Sequence, residues 1–359
     1  MDLSISPGAP PAPPAGAARP TAPALVRGLL PHLVWELVLL LLVLAAGIAL
    51  AAKNDRVFSA GGLWGQLAIA GLFTAALALS FRTATPNLAV TTIGTVSGWW
   101  YVHLHNDGGS AVLAWLVPIV ASLAIGLVLG VIVGLTPLPG WAVSLVATAI
   151  VGGAVQIGEN AGQTVALRDG RTGTGTFVAW LVFFAVASVA GAVVLAIPSV
   201  RAAVSRNRLE PGADAPRLGA KLFGALIGLG GSSVIAAVAG IVYTQRLQAV
   251  SAFTSYSLAF VLGTVLLAGV SPLGRRAGLL GVVLAVTLAV FVQTWLSLDG
   301  AGYGAQTVTL GVLGLLGLAV IAVLEWIGGW QERSRAVTGA PPPPMYGPGQ
   351  PFAPPLPPS

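Results

Sequence analysis

Few residues in this chain have the types and spacing for chemistry. His103 and His105 stand two apart, beside Trp99, Trp100 and Tyr101. On a helix that spacing sends the two imidazoles to different faces. Asp107 is the one further ligand type nearby, and His32 is remote in sequence. The cluster therefore reads as an aromatic belt at a membrane–water interface, with no metal site expected. There is no cysteine, which removes disulfides and thiolate metal sites. A membrane hydrolase or glycosyltransferase would need acidic pairs or His–Glu motifs, and none is seen. No Walker motif is present, so the chain itself is not expected to hydrolyse nucleotide. The expectation is a non-enzyme without a cofactor of its own.

A second group of polar residues lies within or beside apolar runs: Gln66, Asn87, Gln156, Gln293 and Gln306. An uncharged amide is tolerated in lipid when it faces protein or a watery path. Two readings stand, hydrogen bonding between helices and lining of a path. Charge is nearly absent from the runs. Only Glu36 and Glu325 fall inside them, each near a run's end. Ion-coupled transporters usually need an ionisable relay within the membrane, so an energy source outside this chain is expected.

The elements that must position these residues are apolar and long. Charged residues make up 8% of the chain and hydrophobic ones 56%, whereas a soluble domain carries about a quarter charged residues. Ten apolar segments follow one another at roughly 33–52, 62–81, 88–104, 111–135, 140–157, 176–198, 219–243, 252–270, 278–298 and 306–327. About 20 apolar residues suffice for a helix to cross ~30 Å of hydrocarbon. Continuous rather than alternating runs favour helices over a barrel. The expected fold is an all-α polytopic membrane protein of about ten transmembrane helices, some short or broken, in two related halves. The third and fifth segments are short, and the eighth is interrupted by Gly263 and Gly269. Ala49-Leu50-Ala51 resembles a signal-peptidase site, but the run 33–52 is longer than a signal h-region and many spans follow, so a retained first helix is expected.

Residues 1–31 are Pro/Ala-rich and 331–359 end Pro-rich, so both are expected as disordered tails around a membrane domain at 32–330. Pro341–Pro344 could dock a partner as a polyproline helix or simply be solvated. With ten spans both tails share a side, and that side holds 12 of the 17 Lys and Arg against 5 opposite. The net charge of +6 is thus read as topology, with cytoplasmic tails, rather than as nucleic-acid binding. Glycines four apart, as at Gly126/Gly130/Gly134 and Gly224/Gly228, predict close helix packing. The stretch Asn87–Val96 resembles Ser257–Val265, which would set two short segments at matching places in two halves. Such segments point to a translocation path. Asn87, Thr91, Gln156, Ser257, Gly263, Thr264 and Gln293 are its candidate lining.

From about Phe81 to Trp326 the chain resembles the permease subunits of ribose-type ABC importers, which also serve nucleosides and branched-chain amino acids. Thr85-Pro86-Asn87-Leu88-Ala89-Val90 falls where that family has an acidic-Leu-Ser-Val-Gly entry to a broken helix. Gly212-Ala213-Asp214-Ala215-Pro216-Arg217-Leu218 falls at its Asn-Glu-Ala-Ala-Arg-Leu stretch. Ala259-Phe260-Val261-Leu262-Gly263-Thr264, then Leu266-Leu267-Ala268-Gly269, resembles its Val-Val-Leu-Gly-Gly-Thr-Ser segment. Asn87 replaces an acidic residue, Asp214 a glutamate, and one glycine is missing before Thr264.

The resemblance implies a multi-pass permease in a bacterial plasma membrane. Its partners would be a second permease chain, cytoplasmic ABC ATPase subunits that bind the ATP, and an extracellular solute-binding protein. It implies that the charged loop 199–219, with Arg208, Asp214 and Arg217, forms the coupling helix that docks on the ATPase. A neutral polar lining suits a sugar or nucleoside. The competing expectations are a stand-alone ten-helix metabolite transporter and a non-transporting scaffold derived from a permease.

Overall fold

A computed structural model describes residues 22–158, 164–168, 173–197, 199–200, 203, 218–251, 256–272 and 279–339. The coupling-loop residues Arg208, Asp214 and Arg217 lie outside these residues, as do 1–21 and 340–359. The chain is an all-α polytopic membrane protein. Its helices are α1 (Ala22–Lys53), α2 (Gly61–Arg82), α3 (Val90–Asn106), α4 (Ala111–Leu135), α5 (Gly140–Gly158) and α6 (Thr174–Ala196). Then come α7 (Leu218–Ala225), α8 (Gly231–Leu247), α9 (Leu258–Leu267), α10 (Gly281–Leu298) and α11 (Tyr303–Gly339). A π turn at Leu226–Gly230 joins α7 and α8 into one rod, giving ten rods among the described residues for the ten apolar runs.

Among the described residues eight rods are long and apolar enough to cross a membrane. The exceptions are α3, with 17 residues, and α9, with 10. Both are among the segments expected to be short or broken. The fifth run, also expected to be short, forms a 19-residue helix long enough to span. α1 begins at Ala22 and α11 runs to Gly339, so helix reaches into both stretches read as tails. Ala, Leu, Gln, Glu and Arg at those ends are good helix formers and extend the rods past the apolar run.

α2 and α8 form the buried centre. α2 is covered on one side by α6, on another by α8, and by α9 and α10. α3 lies parallel on α8 at its closest crossing, where a Cβ on Gly240 would fall on the Gly94 carbonyl. Gly126, Gly130 and Gly134 seat α4 along α8, the π turn and α7, contacting Leu229 and Ser233, Leu226, and Leu222 in turn. This is the packing expected from their spacing: without a Cβ, backbones approach and dispersion contacts multiply. α9 packs the same way, parallel on α11, with Gly263 against Leu310 and Gly314. At the end where α8 finishes, Val165–Ala166 pairs antiparallel with Ala249–Val250. Asn106 pins that pair, donating to Ala166 O at 2.8 Å and accepting from Arg168 N at 3.1 Å.

The expectation of an interior without charge is corrected. Glu36 on α1 is buried, and its carboxylate accepts from Leu280 N at 2.7 Å and Gly281 N at 2.9 Å. These are free amides at the N-terminus of α10, where the helix dipole favours an anion. Arg82, at the end of α2, interacts electrostatically with Glu36. Glu36 sits at a run's end in sequence but inside the bundle in space, because α1 extends beyond its apolar stretch.

Candidate functional site

The most unusual backbone is the connection between α2 and α3. α2 ends beside the π turn, where Thr83 and Thr85 lie against Gly228, while α7 runs on past it. The helix closes with a double turn: Ala84 N donates to Phe81 O and Thr85 N to Ser80 O, each at 2.9 Å. This is the pattern that ordinarily places glycine at the left-handed position. Here that position is Ala84, with φ 56°. A non-glycine residue held there costs about 1–2 kcal/mol, so neighbours must hold it.

They do so through a buried polar network. Asn87, fully buried, donates from Nδ2 to Ser232 Oγ at 2.8 Å and to Ser233 Oγ at 3.3 Å. Its Oδ1 accepts from Ala89 N at 3.1 Å, and its own N–H donates to Ser80 Oγ at 3.0 Å. Thr83 and Thr85 share a hydroxyl hydrogen bond of 2.8 Å. Both lie against Gly228 in the π turn, where any Cβ would collide with them. Ser144 on α5 accepts from Leu88 N at 2.9 Å and donates to Pro86 O at 3.1 Å. The buried connecting backbone is thereby satisfied by protein, as burial away from water requires. Two irregularities, the 83–89 connection and the π turn, meet at this point.

The network sets the position of α3 relative to α5. Between those helices is a cleft of about 160 Å³ lined by Thr92, Thr95, Val96, Thr148, Gly152, Val155 and Gln156. Thr95 donates to Thr91 O and Thr148 to Ser144 O, each at 3.1 Å. Their protons being used, these hydroxyls offer lone pairs to a ligand's donors, while Gln156 offers both donor and acceptor. The lining holds no charge.

The candidate residues named from sequence separate into distinct places. Gln156 lines the cleft, whereas Thr91 is buried and is not part of the lining. Asn87 pins the interruption. Gln293 donates to Gln306 O at 3.2 Å, and Gln306 in turn bonds Ala301 O and Ser297, closing the α10–α11 turn. Gly263 is a packing contact, and Thr264 donates to its own helix at Phe260 O, 2.7 Å away. Ser257 is exposed and caps α9, accepting from Phe260 N at 3.2 Å. Phe73 of α2 bridges the two segments: it packs on Gly94 of α3 and stacks on Tyr256, the residue before Ser257, at 5.0 Å. His103 and His105 lie against different rings, Trp99 at 4.5 Å and Tyr101 at 5.8 Å.

The sequence reading missed Ser80, Ser144, Ser232 and Ser233, and the threonines of the cleft. The signal available was Ser232-Ser233 inside a Gly-rich apolar run and four threonines between Thr83 and Thr92. Comparison of the chain with protein families, curated proteins and solved structures returns no match.

Proposed function

We propose that this chain is the permease subunit of an ABC-type importer, forming the path for a small neutral solute such as a sugar or nucleoside. In this reading it sits in a bacterial plasma membrane with both ends cytoplasmic. It pairs with a second permease chain and is driven by a separate ATPase docked at loop 199–219. The observation that carries the reading is the buried, strained interruption at 83–89 beside an uncharged hydroxyl- and amide-lined cleft. Interrupted helices at membrane depth are where transporters bind and gate substrate. Hydroxyl lone pairs without a fixed charge suit a polyhydroxylated solute better than an ion. The resemblance of residues 85–90 and 259–269 to ribose-type permeases supports the same class.

The test is twofold. An affinity-tagged chain expressed in its own host should retain an ATPase subunit, and Asp214→Arg should release it without reducing membrane insertion. Thr92→Val/Thr148→Val should lower uptake of the cognate sugar or nucleoside about tenfold at equal expression, the scale of one or two lost hydrogen bonds. Absence of any ATPase with a monodisperse chain, together with unchanged uptake across a panel of such solutes, would sink the reading.

A further inference from the structure

Arg246 ends α8 on a side of the bundle that the cleft does not use. Its stem runs through a slot made by a glycine: a Cβ on Gly65 would lie 3.1 Å from Arg246 Cδ, 3.3 Å from Nε and 3.4 Å from Phe177 Cγ. The missing Cβ at Gly65 leaves room for the Arg246 stem between α2 and α6. Tyr243, one turn earlier, and Tyr256, just before α9, set their rings perpendicular with centroids 5.5 Å apart. Tyr243 and Arg246, three apart on α8, share a helix face, and the ring contact brings Tyr256 to the same place. Tyr256 is anchored by Phe73 and by Phe260, the latter at 5.7 Å. Among the described residues the ion pair is Lys53 with Asp299, and Arg246 forms none.

The cluster presents donors. A guanidinium has only N–H groups, and each phenol can turn its O–H toward an acceptor. A half-buried cation without an anion has given up hydration with nothing in return. The planar fork of arginine matches two oxygens of a carboxylate or phosphate. The geometry points to an oxyanion site formed by Arg246, Tyr243 and Tyr256, taking a phosphate or carboxylate group at the end of the bundle where α8 finishes. The group could belong to a phospholipid headgroup or to a soluble anion. The site stands whether or not the chain is a permease, because none of its residues lines the cleft.

The full chain, purified in neutral detergent, would be titrated with phosphatidylglycerol, inorganic phosphate and acetate, and binding read by native mass spectrometry and thermal unfolding. Arg246→Gln should weaken at least one of these about tenfold, the scale of a charge-assisted pair. Arg56→Gln, at an exposed arginine near the same end, should leave all three unchanged. Tyr256→Phe should weaken the same ligand by a smaller factor. A loss confined to phosphatidylglycerol assigns the site to lipid, and a loss with phosphate or acetate assigns it to a soluble anion. If Arg246→Gln does not fold, Arg246→Lys keeps the charge without the fork and should weaken binding several-fold. Equal affinity of wild type and the folded Arg246 variant for every probe would overturn the site.

Discussion

α2 and α9 end in the same turn. After α2, Ala84 N reaches Phe81 O and Thr85 N reaches Ser80 O; after α9, Gly269 N reaches Leu266 O and Val270 N reaches Val265 O. The residue in the left-handed position is Ala84 in the first, φ 56°, and Gly269 in the second, φ 72°. Gly269 adopts that backbone without a Cβ penalty and needs little help. Ala84 does not, and it is surrounded by Ser80, Thr83, Thr85, Asn87, Ser144, Ser232 and Ser233. Local sequence terminates α9, whereas long-range hydrogen bonds impose the end of α2. The same shape arises from two causes, and only the second stores strain beside the cleft.

The largest effect should come from removing the pin. Asn87→Leu leaves Ser232, Ser233, Ala89 N and the crowded turn without their partner. Each buried polar group stranded costs about 1–3 kcal/mol, and the combined loss should appear as a fall in folded yield and an unfolding midpoint well below wild type. A variant as stable as wild type would mean the network does not hold the interruption. Gly269→Ala comes next. The space there is ordinary, with Leu324 at 3.4 Å and Trp35 at 3.5 Å from the new methyl. The cost is backbone strain alone, about 1–2 kcal/mol. It should leave the cleft and uptake untouched while lowering stability.

The fold was largely legible in the sequence because membrane helices are written in composition. Ten apolar runs became ten rods, and the glycine spacing of α4 became its packing seam. Two matters were not legible. Glu36 looked peripheral because its neighbours in sequence are at a run's end, yet the amides of Leu280 and Gly281 meet it from 244 and 245 residues away. Asn87 and Ser257 looked equivalent because their following residues are alike. One became a fully buried pin and the other an exposed helix cap, since burial depends on which helices arrive around them. Periodicity reports what a helix is made of, and it does not report its neighbours.

Ala84→Gly is the smallest predicted effect and the most discriminating. Glycine removes the left-handed penalty of about 1–2 kcal/mol but adds unfolded-chain entropy of about 0.5–1 kcal/mol, leaving a net gain of a few tenths to about 1 kcal/mol. The sign alone separates Ala84 from an ordinary helix-terminal alanine, where glycine would be neutral or harmful. The double variant with Asn87→Leu separates the two causes. If the network imposes the strain, losing Asn87 lets the turn relax, and glycine then has less to relieve. The gain from Ala84→Gly should shrink in that background, a coupling that a thermodynamic cycle reads directly. If the helix end itself dictates the left-handed residue, as it does at Gly269, the gain is the same in both backgrounds. Equal gains would make the ends of α2 and α9 the same kind of turn and remove the strain from the candidate site.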